Sequence, residues 1–306
     1  MYTSVSIQDG IDHLPAFFSD IYKYFDTEES RAAVKDAFGK KIELIKNGTI
    51  EGRLILKDSQ PKGFGWVELS SPVYGNMMLH CFDDETSTRL AEDFIEQKMI
   101  KGRLLELIQF KSVTPYINVF DKHKVHRNFR QRMGLALHSD DWLHPALPSE
   151  LSYEEIDESN ISRTGEISYL AHQISQDQQG YEGLYSVENR VALEKRVLAN
   201  EKGTFNPSCS FILKLKEEIV GFVTIVDISC WGYERVPWVF DISVSPEFHG
   251  RGFGKQLMLE CMARLTDMEY PVIGLAVTVE NDNARKLYEK LGYQMVEQFY
   301  EFIDLS

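Results

Sequence analysis

Trp238-Val-Phe-Asp-Ile-Ser-Val-Ser-Pro-Glu-Phe-His-Gly-Arg-Gly-Phe-Gly254 is the stretch on which the reading of this chain turns. An apolar strand runs into Pro246, and three glycines follow within five residues, Gly250, Gly252 and Gly254. A helical run begins at Lys255. Backbone N–H groups at a helix start lack intrahelical partners, and the helix dipole makes that end partly positive. Glycines let the backbone take positive φ and approach a phosphate with no Cβ in the way. Strand, glycine loop and helix start together form an anion cradle. Neither the dinucleotide fingerprint Gly-x-Gly-x-x-Gly nor a phosphate loop ending in Gly-Lys-Ser/Thr is present. A glycine-rich surface turn without a ligand is the alternative.

The elements around this stretch occur twice. In the first half, amphipathic spacing predicts helices over 11–25 and 28–46, a hairpin over 52–57 and 64–70, and a strand over 76–82. A helix over 86–100, a strand over 104–110, a short helix over 115–123 and a strand over 129–137 follow. In the second half the expected order is a strand over 151–156, helices over 162–176 and 186–200, a hairpin over 210–216 and 219–227, and the opening strand and loop. A helix over 255–267, a strand over 272–279, a short helix over 283–291 and a strand over 295–303 complete it. Val119-Phe120-Asp121-Lys122 lines up with Leu287-Tyr288-Glu289-Lys290, and Lys62-Gly63-Phe64 with Val220-Gly221-Phe222. The first-half counterpart of the glycine loop is Cys81-Phe-Asp-Asp-Glu-Thr-Ser-Thr88, with no glycine and three acids, which would repel a phosphate. Residues 138–161, acidic and containing Pro145 and Pro148, read as the linker. The expected domains are 1–140, a degenerate copy without the glycine loop, and 148–306.

The 306 residues suit two domains of about 150 each. No apolar run approaches the ~20 residues that cross a bilayer, so no membrane association is expected. The N-terminus has neither the basic nor the apolar region of a secretory signal. Cys81, Cys209, Cys230 and Cys261 are scattered through apolar runs, as reduced thiols of a cytoplasmic protein would be. The net charge of −14 argues against a nucleic-acid surface and favours a cationic or amine substrate. The basic run His126–Arg132 reads as the polar face of a strand. His123 and His126 have no cysteine or acid cluster to complete a metal set, so no metal is expected. Cys209 lacks a histidine or acid motif that would make it a nucleophile.

About 30 residues past the loop stands a second motif, Leu275-Ala-Val-Thr-Val-Glu-Asn281-Asp-Asn-Ala284-Arg-Lys-Leu287-Tyr288-Glu-Lys-Leu-Gly292-Tyr293. With Val244-Ser245-Pro246, Gly252 and Gly254, it resembles the GNAT superfamily of acyl-CoA-dependent N-acetyltransferases. The resemblance covers roughly residues 148–306. His249 departs from it, standing where Gln or Arg is usual. The fold implied is α/β (α+β), two tandem GNAT-like domains, each a mixed and mostly antiparallel sheet flanked by helices. The activity implied is direct transfer of an acetyl group from acetyl-CoA, as co-substrate, to a primary amine in a ternary complex.

On this resemblance the amides of His249, Gly250, Arg251, Gly252, Phe253 and Gly254, with Lys255, would hold the CoA pyrophosphate. The strand edge at Ile242, Ser243 and Val244 would pair with the pantetheine arm and polarise the thioester carbonyl. Asn281 and Ala284 would line the cofactor side, and Tyr288 would stand near the CoA sulfur. A phenol with a pKa of about 10 stays protonated at neutral pH and can donate to a departing thiolate, which suits Tyr288. The other reading of Tyr288 is a core aromatic, as Phe120 is in the first half. Asp241, an acid inside an apolar strand, is the candidate base or the group that holds the substrate ammonium; otherwise it is a carboxylate bonded within the fold. Glu234, in the loop before the strand, is the second candidate base. Tyr181 and Tyr185 would wall the acceptor. The acceptor would be a small molecule or peptide amine, and exposed strand edges would allow a homodimer. The rival class is an acyl-CoA sensor or protein-interaction module without turnover.

Overall fold

The computed structural model describes residues 1–138, 142–175, 181 and 185–306. The chain divides into two compact units, residues 1–128 with 299–306, and residues 129–298.

The first unit begins with a strand that carries no strong sequence signal, β1 (Tyr2–Ser6), which pairs antiparallel with β2 (Glu51–Lys57). Helices α1 (Leu14–Ile21) and α2 (Glu28–Lys46) lie between them in sequence. Thr27 caps α2 by accepting from the Ser30 amide. β2 continues antiparallel into β3 (Gln60–Ser71) and β4 (Tyr74–Cys81). After α3 (Asp84–Glu96) comes β5 (Leu104–Ile108), which runs parallel to β4 from Tyr74↔Leu104 to Met78↔Ile108. α4 (Thr114–Lys122) follows. One face buries Val67, Met77 and Leu79 against Leu90 and Phe94 of α3 and Phe120 of α4. The other buries Phe64, Trp66 and Met78 against Phe17, Phe18 and Phe38. Alternation along each strand sends its side chains to these two layers.

The second unit has the same order. β7 (Leu151–Glu155), α5 (Ile161–Gln173) and α6 (Val187–Leu198) lead through the short β8 (Thr204–Phe205) to β9 (Phe211–Leu215), β10 (Glu218–Cys230) and β11 (Tyr233–Val244). These last three are antiparallel neighbours. α7 (Phe253–Asp267), β12 (Val272–Thr278) and α8 (Asp282–Lys290) follow. The main core packs Val223, Ile225 and Val239 against Leu257, Met258 and Cys261 of α7 and Tyr288 of α8. Phe222 and Ile212 bury the opposite face against Ile167 of α5.

Each unit is closed by a strand from the other half of the sequence. β6 (His126–Ala136) follows α4 in the chain, yet its segment Arg130–Ala136 pairs antiparallel with β12. β13 (Gln294–Ile303) follows α8, yet Phe302 and Glu301 pair with Leu105 and Glu106 of β5. Periodicity locates both strands but says nothing of their partners, because pairing is a long-range choice.

Two differences separate the corresponding ladders. The β3–β4 register runs without interruption from Gly63↔Cys81 to Leu69↔Gly75. In β10–β11 it shifts between Thr224↔Asp241 and Ile225↔Val239, so Phe240 is an extra residue, a β-bulge. Counting from Gly63↔Cys81 and Gly221↔Val244, Met78 stands where Asp241 does. The parallel ladder of the first unit extends to Met78, whereas β11 pairs with β12 only at Trp238↔Gly274 and Val239↔Leu275. From Phe240 onward, the β12 side of β11 has no ladder among the described residues.

Candidate active site

The unpaired edge runs straight into the glycine loop. After Val244 the chain makes a short 3-10 turn over Pro246–Phe248. Gly250 has φ +77° and Gly252 φ +84°, conformations that cost an L residue a clash between Cβ and carbonyl. Gly252 is the N-cap of α7 and gives no side-chain bond to the helix start, so no side chain caps the first-turn amides. A Cβ at Gly250 or Gly252 would meet nothing within 4 Å, so backbone conformation rather than crowding calls for glycine there. A Cβ on Gly254 would lie 3.6 Å from Leu287 and 4.0 Å from Val244. The end of β11, the start of α7 and one face of α8 therefore converge.

His249, the departure from the family pattern, turns back on its own strand: Nε2 donates to the Val244 carbonyl at 2.7 Å. It ties the loop to the strand end. Arg251 and Lys255 are exposed beside the cradle, with the Arg251 guanidinium 5.0 Å above the Phe248 ring. The corresponding helix start in the first unit is closed. Asp83 caps α3 by accepting from the Thr86 amide at 2.8 Å. Burial raises the Asp83 pKa, but the bonds from the Thr86 amide and hydroxyl outweigh it, so the carboxylate is held ionised. Its own anion occupies the place where α7 is open.

Ile242 and Val244 pack on the α7 and α8 side of the sheet. Asp241 and Ser243 point to the α5 and α6 side, and both are buried. Asp241 Oδ2 accepts from Ser168 Oγ at 2.6 Å and from Arg190 Nη2 at 2.6 Å, while Oδ1 accepts from Ser243 Oγ at 3.0 Å. Burial pushes its pKa up, but Arg190, His172 and the two serines hold it below the usual carboxylate value. Arg190 also donates to Glu194 at 2.7 Å. Burial raises Glu194 to about 7 against the pull of Arg190, with the Asp241 charge adding to the rise. The second Glu194 oxygen has no hydrogen-bond partner. Asp241 is thus an ionised member of a buried ion pair, which is the bonded-carboxylate reading of the sequence; a carboxylate so satisfied has little appetite for a further proton.

Glu234 is on β11 itself, not in a loop, beside the Cys230↔Tyr233 hairpin end, and it is exposed. Seven residue steps along the strand separate it from Asp241, roughly 23 Å at ~3.3 Å per residue, so the two acids do not share a site. Tyr181 stacks with Arg130 at 5.3 Å and bonds to it, and Arg130 also donates to the Ala276 carbonyl of β12 at 3.1 Å. Tyr185 is exposed. Asn281 caps α8 by accepting from the Ala284 amide at 3.3 Å. Tyr288 is buried, its ring 5.7 Å from that of Tyr293. The helical half of the Asp241 network, Ser168, Arg190 and Glu194, escapes motif reading. Its only signal is an i,i+4 arginine–glutamate pair on α6, which looks like any surface pair until the helix is packed.

In the second unit a strand parts from its parallel neighbour at a bulge and delivers the chain to an uncapped, glycine-led helix start. Comparison with known proteins gives the family. The profile of the Acetyltransferase (GNAT) family matches residues 174–293. The [Ribosomal protein bS18]-alanine N-acetyltransferase of Haemophilus influenzae is 30% identical over 125 residues, 38% of this chain and 77% of that protein. The chain belongs to the GNAT family. A mycothiol acetyltransferase of Amycolatopsis mediterranei is 28% identical over 176 residues, 54% of each chain. The chain spans about half or less of the length of the mycothiol acetyltransferases it matches. Among solved structures, a tandem GNAT protein from the clavulanic acid biosynthesis pathway superposes with a TM-score of 0.50 at 12% identity, covering 83% of this chain and 82% of that one, a likeness of fold.

Proposed function

We propose that the second unit is an acetyl-CoA-dependent N-acetyltransferase that acts on a primary amine by direct transfer in a ternary complex. The observation that carries this is the unpaired edge of β11 from Phe240 to Val244, leading to the open start of α7. The residues fit the co-substrate: loop amides from His249 to Gly254, with Arg251 and Lys255, for the pyrophosphate, and the strand edge at Ile242–Val244 for the pantetheine arm, as a peptide adds to a sheet edge. Bound acetyl-CoA supplies the electrophilic thioester carbonyl. Backbone donors of the edge polarise that carbonyl without reorganising, and Tyr288 donates the proton that the leaving sulfur needs. Asn281 and Ala284 place the start of α8 against the cofactor side. The first unit, with Asp83 in its helix start, Met78 at the Asp241 position and Phe120 at the Tyr288 position, is a degenerate copy that serves as scaffold. The acceptor is a small molecule or peptide amine. The mycothiol and ribosomal-protein acetyltransferases among the relatives span both classes.

Thiol release from acetyl-CoA in the presence of an amine panel tests the reading. Turnover on at least one amine is expected, falling about 10²-fold or more in Tyr288→Phe with the acetyl-CoA thermal shift retained. A variant equal to the parent on every accepted amine removes Tyr288 from the reaction. A thermal shift without turnover on any amine would favour a sensor. No shift at all defeats the cradle.

A further inference from the structure

Asp241 is engaged on both oxygens and Glu234 is a strand's length away, so the amine's proton needs another receiver. His172 lies on α5, one helical turn past Ser168. Its Nδ1 is 2.8 Å from the Ser168 carbonyl and 3.4 Å from Ser168 Oγ. A carbonyl can only accept, so Nδ1 carries the hydrogen and the neutral ring keeps its lone pair on Nε2. Nε2 has no hydrogen-bond partner among the described residues, and the ring is partly exposed. Ser168 Oγ, next to the imidazole, is 2.6 Å from Asp241 Oδ2. The ring is thus held in one tautomer by its own helix, with a buried carboxylate one hydroxyl away. Asp241 sits on the segment of β11 that has no ladder on its β12 side among the described residues, and Ser168 joins His172 to that segment.

We propose that His172 Nε2 is the general base for the acceptor amine, with Ser168 and Asp241 as its positioning residues; this rests on the acetyltransferase reading of the second unit. The ammonium N–H bond breaks, its electron pair stays on nitrogen as the nucleophilic lone pair, and the proton forms an Nε2–H bond. The imidazolium faces the Asp241 carboxylate through Ser168 and releases the proton to solvent from its exposed edge. Among the described residues, the charged groups joined to it are Asp241 on β11, through Ser168, and Arg190 and Glu194 on α6, in turn through Asp241. Glu194, raised to about 7 by burial, is the group of this network whose own titration the test must separate.

The test compares the parent with His172→Asn and Glu194→Gln on an accepted amine. His172→Asn should lower kcat about 10²-fold or more at neutral pH, leave the acetyl-CoA thermal shift intact and lose the acidic limb of the kcat/KM profile. What pH dependence remains should follow the free-amine fraction alone, so its midpoint should move with the pKa of the amine chosen, whereas a merely structural defect would leave the parent's limb in place. Glu194→Gln should keep the limb. A limb that survives in His172→Asn, or that disappears in Glu194→Gln alone, overturns the proposal. Nitrogen-15 spectra of the parent, without any turnover, should give His172 a protonated Nδ1 and a bare Nε2. The opposite tautomer overturns the proposal by itself, including where His172→Asn fails to fold or where the absence of turnover defeats the acetyltransferase reading instead.

Discussion

Asp241 and Glu194 share one guanidinium, and their pKa values are driven apart. Arg190 is buried between them, so removing one partner leaves a buried charge under-compensated. Asp241→Ala should destabilise the second unit by about 3–5 kcal/mol, read as a lower urea midpoint. Glu194 works in the opposite sense. Its folded pKa, about 7, is above the ordinary value of 4.5, so its contribution is fully present below about 4.5 and is lost as pH rises through about 7. The melting temperature of Glu194→Gln should therefore fall less than the parent's between pH 5 and pH 8. An identical decline in both would place the titrating group elsewhere. Asp241 was visible in the sequence as an acid in an apolar strand; its partners were not, because Ser168 and Arg190 reach it from helices 73 and 51 residues away.

At the scale of elements, the loop and α7 act as one piece. Gly252 needs a left-handed backbone at the mouth of the cradle. Gly252→Ala should cost about 1–2 kcal/mol of stability and weaken acetyl-CoA binding beyond that loss, measured as the dissociation constant in a titration. The other end of α7 is held by His144, whose Nδ1 lies 3.0 Å from Glu260 and whose Nε2 lies 2.9 Å from Asp267, while Arg264 also bonds Glu260. The bonds to Glu260 and Asp267 raise the His144 pKa against a small opposing effect of burial. Stability from this clasp is present below about 6.5 and is lost as pH climbs through the raised value, so His144→Ala should matter at pH 6 and little at pH 9, read by thermal melts. Element positions were largely legible from period and caps. β1 and β8 were not, being short and without alternation strong enough to register. Glu234 lies not before the strand but within it, and Pro237 too sits within β11, opposite Asp227.

Across the whole molecule, connectivity decides what can be separated. Cutting at 145 removes β6, and with it the antiparallel partner of β12 from Val272 to Thr278. Residues 145–306 alone should be insoluble or lack a cooperative melt, while the intact chain melts cooperatively and is shifted by acetyl-CoA. A well-folded 145–306 fragment that binds acetyl-CoA would show that β6 is dispensable. The sequence by itself determined the order of strands and helices apart from β1 and β8, the glycine loop at 249–255 and the motif around Asn281 and Tyr288. These rest on local periodicity, on glycine's backbone freedom and on charges close together in the chain. Only the tertiary structure decided the rest: the exchange of closing strands, the bulge at Phe240 that parts β11 from β12, and the burial of Asp241 against Arg190. Each depends on which distant segments meet, and pairing and desolvation are set by those encounters rather than by residue type.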